Sequence, residues 1–64
     1  MKIIIILRNK EFVLSKETTV KRAMEILNVS AEAHLAVRDG SLLTEDELLH
    51  DGDVIQLVSV ISGG

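Results

Sequence analysis

Aliphatic residues fill every position from 3 to 7, a run whose isoleucines suit a buried pleat better than one face of a helix. The pattern predicts a strand over residues 2–8, a turn at Asn9-Lys10, and a short antiparallel strand at Phe12, Val13 and Leu14 that completes a hairpin. Thr18-Thr19 supplies a helix start, because a threonine hydroxyl accepts a hydrogen bond from an N–H two or three residues on. Val20, Ala23, Met24 and Leu27 then fall on one apolar helix face. Asn28 suits the left-handed residue that ends a helix. Residues 34–38 alternate as a strand, with Leu35 and Val37 on one side and Ala36 on the other. Asp39-Gly40 marks a turn and residues 41–43 a brief edge strand. Thr44-Glu45-Asp46-Glu47 has the spacing of a capping box, which predicts one helical turn carrying Leu48 and Leu49 inward. Asp51-Gly52-Asp53 ends that turn, and residues 54–61 form the last strand, polar only at Gln56 and Ser59.

A hairpin followed by a helix that crosses to further strands does not close as an antiparallel meander, so the last strand is expected beside the first and parallel to it. The expected class is α+β: a mixed four- to five-stranded sheet with one helix packed on one face. Leu35, Val37, Leu48 and Leu49 are assigned to the covered side with Ile3, Ile5, Leu7 and Phe12. Ile4 and Ile6 then point to the uncovered face, joined by Val13, Ala36, Val58 and Val60. Two readings of that face stand: aliphatics kept for β propensity, or a docking surface for another protein.

Composition narrows the classes. At 64 residues the chain is one domain, near the size at which a core stands without metal or disulfide support. Its 47% hydrophobic content against 27% charged separates it from disordered chains. The absence of cysteine removes a disulfide scaffold, a thiolate nucleophile and a sulfur ligand, and makes the cytoplasm the expected setting. No apolar run approaches the roughly 20 residues of a membrane span or the ~7–15 of a signal-peptide core, so no membrane partner is expected. The net charge is −3, and the 7 Lys and Arg are scattered through residues 1–38, which counts against direct nucleic-acid binding. Residues 39–64 contain no Lys or Arg but do contain Asp39, Glu45, Asp46, Glu47, Asp51 and Asp53. These are either solvated loops or a steering surface for a basic partner.

Candidate chemistry within the body is sparse. His34 and His50 fall in separate elements without a cysteine or a helical H-x-x-x-H partner, so no metal is expected. Ser59 and Ser62 lack a base placed by sequence. Glu45 to Glu47 lack EF-hand spacing, and Asn28-Val29-Ser30 is a glycosylation sequon without a secretory signal. No independent enzyme and no bound cofactor is expected.

The hairpin opening, the stretch AVRDGSLLTEDELLHDGDVIQLVSVISGG with its DGD turn before the last strand, and the closing Gly63-Gly64 resemble the ubiquitin-like sulfur carriers. These comprise the thiazole-synthesis carriers, the small subunit of molybdopterin synthase and the carriers of tRNA thiolation. The resemblance spans the chain and is strongest over residues 36–64. It implies a β-grasp domain over residues 1–61 and a flexible tail over 62–64. It further implies that a partner adenylating enzyme of the ubiquitin-activating type uses ATP to activate the Gly64 carboxylate. Sulfur transfer then gives a thiocarboxylate for an acceptor enzyme such as thiazole synthase or a tRNA thiolase. Gly63 gives access, since a residue without Cβ passes a narrow cleft. The partner-binding set is Ile4, Ile6, Ala36, Val58, Val60, Ile61 and Ser62. Three alternatives remain: a protein modifier whose Gly64 is attacked by a lysine amine, the small subunit of molybdopterin synthase, and a non-covalent β-grasp binding module. Against the module stand the lack of basic clusters and of aromatics other than Phe12. The short chain and the ISGG ending point to the thiazole or tRNA type rather than the molybdopterin subunit.

Overall fold

A computed structural model describes residues 1–60. Strands β1 (Ile3–Leu7) and β2 (Lys10–Leu14) form the expected hairpin, in register from Leu7↔Lys10 to Ile3↔Leu14. Its loop is Arg8-Asn9, with φ of 51° and 67°, one position earlier than the pattern placed it. Two successive left-handed residues give the type I′ turn, whose twist matches that of the flanking strands.

After β3 (Thr18–Thr19), helix α1 runs over Val20–Ile26. The Arg22 N–H donates to Thr19 Oγ1 at 3.2 Å, the cap expected from the sequence. At the other end Asn28 takes φ 60°. The Val29 N–H donates to the Met24 carbonyl at 2.8 Å and the Asn28 N–H to that of Glu25 at 3.1 Å. This paired closure satisfies two carbonyls that the helix itself leaves open.

Strands β4 (His34–Arg38), β5 (Ser41–Leu43), β6 (Leu48–Leu49) and β7 (Val54–Ser59) complete the chain. The main sheet has five strands in the order β2-β1-β7-β4-β5, and β3 pairs β6 in a separate two-stranded sheet. The last strand lies in the middle, parallel to β1 (Ile5↔Ile55) and antiparallel to β4 (Ala36↔Leu57). This is the mixed sheet that the strand order implied and the β-grasp arrangement that the resemblance implied.

The helical turn expected at Thr44 to Leu49 does not form. The Glu47 N–H instead closes a turn on the Thr44 carbonyl at 3.2 Å, and Leu48 and Leu49 pair with Thr19 and Thr18. The cause lies at the start of α1, where the first N–H groups have no partner within the helix. Those of Val20 and Lys21 donate to the carbonyls of Glu47 and Glu45 at 3.0 and 2.9 Å. A helix over 44–49 would withdraw those acceptors.

The core lies between α1 and one face of the sheet. Ile3, Ile5, Ala36, Ile55 and Leu57 meet Val20, Ala23 and Met24 of the helix, and Leu49 closes one end. Leu7, Phe12, Leu14, Leu27 and Leu43 pack around them. Three inward assignments are overturned: Leu35 and Leu48 are exposed, and Val37 shares the outer face with Leu35. Register decides this, because Ala36 sits opposite the buried Leu57 and its neighbours must point away.

The Asp51-Gly52-Asp53 turn fixes where β7 meets β1. Asp51 Oδ1 accepts from the Lys2 N–H at 2.7 Å, the Gly52 N–H donates to the Lys2 carbonyl at 2.8 Å, and the Ile4 N–H donates to the Asp53 carbonyl at 2.9 Å. Gly52 takes φ +89°, a conformation in which any side chain is strained even though open space surrounds it. Gly52→Ala should therefore lower unfolding free energy by about 1–2 kcal/mol, and Thr19→Ala by about 1 kcal/mol, both read from urea melts. Unchanged midpoints would contradict the roles given to this turn and this cap.

Candidate functional site

A helix of seven residues covers only one side of a five-stranded sheet. The other side is built by register. Ile4 lies beside Val13 and Val54, and Ile6 beside Glu11 and Gln56. Val58 lies beside Leu35, and Val37 joins Gln56 to Leu42. Paired residues share a face, so these side chains form one continuous surface of aliphatics around the amide of Gln56. Val58 and Leu35 are each 42% exposed. Such a surface adds little to the stability of the isolated domain and has the character of a binding face.

The structure brings four of the partner-binding candidates to this side. Ile4 and Ile6 are half-buried in its centre, while Val58 and the adjoining Val60 are exposed. Ala36 is a correction: it is 1% exposed, in the core beneath α1. The sequence reading also missed Leu35, Val37, Leu42 and Val54. Correct pairing of residues 34–38 with the last strand would have found the first two. Ile61, Ser62, Gly63 and Gly64, with the tail expected over 62–64, lie outside the described residues.

The route to the end of the described chain is held on both sides. β7 pairs with β1 through Leu57 and with β4 through Ser59, and the Val60 N–H donates to the Ala33 carbonyl at 2.9 Å. His34 supports this corner: a carbonyl only accepts, so the 3.0 Å contact with the Ser30 carbonyl places a proton on Nδ1. Its Nε2 is buried without a partner among the described residues.

Much of the acidic segment is engaged in the fold. Arg38 reaches Asp53 Oδ2 at 3.1 Å and Glu47 Oε2 at 3.4 Å, tying the end of β4 to two turns. Asp53 Oδ2 also accepts from the His50 N–H at 2.8 Å, and the His50 ring lies 3.7 Å from Glu17. Glu45 and Asp46 are exposed and have no side-chain partner among the described residues. No group of three His, Asp or Glu there is placed to hold a metal ion, and no helix among them is long and apolar enough to cross a membrane.

Adjacent positions on β4 separate the two faces experimentally. Ala36→Asp should unfold the protein or cost at least about 3 kcal/mol, since it buries an unpaired carboxylate, whereas Leu35→Asp should change stability by less than about 1 kcal/mol. Circular dichroism melts of the two variants check this, and the reverse order would invert the face assignment.

The model of the ThiS family matches residues 2–64. The solution structure of the N-terminal ubiquitin-like domain in the 4931431F19Rik protein is similar over 100% of this chain and 78% of that one, with a TM-score of 0.71 and 19% identity. At that identity the likeness is one of fold. No curated protein matches the chain.

Proposed function

Because the chain belongs to the ThiS family, we propose that it carries sulfur as a thiocarboxylate on Gly64, for thiazole synthesis or tRNA thiolation. Proteins of this family are small carriers rather than enzymes, and they work with adenylating and sulfur-accepting enzymes. The observation that carries the reading is the family match over residues 2–64, which takes in Gly63-Gly64 together with the whole folded body.

A carboxylate is a poor electrophile, so the reaction needs activation. An oxygen of the Gly64 carboxylate attacks the α-phosphorus of ATP and pyrophosphate leaves. A sulfur nucleophile at the oxidation level of hydrosulfide then adds to the acyl carbon, AMP leaves, and the product is the thiocarboxylate. ATP and the catalytic groups belong to the partner, and the setting is the cytoplasm. This chain contributes a reactive end and a handle. Fixing any peptide segment in a narrow cleft costs roughly 1–2 kcal/mol per residue, and burial of the outer sheet face against the partner offsets it. The double-sided hold on β7 supports the same reading, since the body keeps the chain in place up to Val60.

With the cognate adenylating enzyme, the protein should support ATP–pyrophosphate exchange, and one alanine appended after Gly64 should abolish it without altering the thermal melt. Retained exchange would show that the reacting carboxylate is not that of Gly64. Val58→Asp should raise the carrier concentration for half-maximal exchange about tenfold, the scale of one interface anchor, while the maximal rate is kept. An unchanged value would remove the outer face from docking.

A further inference from the structure

Gln56 stands at the centre of the outer sheet face. Its strand, β7, is third of five in the main sheet, and register places Ile6 on one side of it and Val37 on the other. Val54 and Val58 precede and follow it on the same face of β7, because side chains alternate along a strand. All four neighbours are aliphatic; Ile6 and Val37 are half-buried, and Val54 and Val58 are exposed. The charge in the same row, Glu11, lies two strands away, roughly 10 Å.

The fold makes no use of the Gln56 side chain. It is exposed, and its carboxamide forms no hydrogen bond among the described residues. Central strands favour β-branched residues, so a valine would serve the isolated domain at least as well. Two uses are left: the amide keeps copies of the chain from sticking together, or a partner recognises it. A charge at that position would keep copies apart more effectively than a neutral amide. Recognition gives the amide a use that a charge does not share, since it carries a donor and an acceptor side by side. Its central place is also where an interface excludes water most completely.

We infer that Gln56 fixes the orientation of the adenylating enzyme on this face, through paired hydrogen bonds with a partner group that offers C=O and N–H together, a peptide unit or the amide of Asn or Gln, set within an apolar patch. The inference rests on the docking role proposed above for the outer face. Aliphatic contacts are non-directional and admit many orientations. One amide dehydrated at their centre admits the orientation in which it is paired, because every other leaves two amides without water and without a partner.

The test follows ATP–pyrophosphate exchange by the cognate adenylating enzyme against carrier concentration, for the full chain and for Gln56→Met, which keeps the length of the side chain and adds apolar surface. A paired amide predicts a half-maximal concentration raised about tenfold with the maximal rate kept, since the partner's amide is left buried and unpaired. Apolar contact alone predicts the opposite sign, tighter docking of Gln56→Met. The urea midpoint of the variant should be unchanged or higher, which separates lost recognition from a lost fold. In the complex with isotope-labelled carrier, the side-chain amide signals of Gln56 should shift and their exchange with water should slow. An equal or lower half-maximal concentration for Gln56→Met, or Gln56 amide signals that keep their free-state shifts and exchange in the complex, would overturn the inference. So would self-association of Gln56→Met in sedimentation velocity with docking no weaker, which would assign the amide to keeping copies apart. Val58→Asp in the same assay tells the two failures apart: if it weakens docking, the outer face stands without this role for Gln56, and if it does not, the face itself is at fault.

Discussion

The insertion of β7 between β1 and β4 is the contact on which the rest of this molecule depends. It joins the hairpin made by the first 14 residues to the β4–β5 pair made after the helix, and neither half closes a core without it. Ile55 and Leu57 complete the inner face against α1, flanked by Ile5 and Ala36. Because the pairing is parallel on one side, hydrogen bonds alone leave the register open to slippage. The Asp51-Gly52-Asp53 turn removes that freedom by binding Lys2 and Ile4 at the start of β1. Arg38 adds a clamp from the other side through Asp53.

Two consequences follow from the same insertion. The last described residues continue from the centre of the sheet, held by neighbours on both sides up to Val60. The sheet also becomes wider than one short helix can cover, so a body of 64 residues has an aliphatic outer face that a larger domain would bury under a second layer.

The elements set by neighbours in sequence were legible. The Arg8-Asn9 hairpin lay within one position, the Thr19 cap and the left-handed Asn28 were read correctly, and the DGD turn and the parallel last strand followed from pattern and strand order. What failed was set by contacts distant in sequence. Leu-Ala-Val at 35–37 alternates equally well in either phase, and only pairing with Leu57 selects the small residue for the core. The capping-box spacing at Thr44 to Glu47 predicts a helix, yet the carbonyls of Glu45 and Glu47 are claimed by the start of α1, more than twenty residues earlier. The outer face was legible as a surface, and its membership on β1 and β7 was mostly right, but the β4 error exchanged Ala36 for Leu35.

The proposed sulfur-carrier role resides in one atom, the acyl carbon of Gly64, whose state in the living cell is measurable. Intact-mass and tandem mass spectrometry of the protein isolated from its own cells should find a fraction about 16 Da heavier, the difference between oxygen and sulfur, with the added mass localised to Gly64. A population in which residue 64 is always blocked, extended, or joined only through an amide to lysines of other proteins would contradict it.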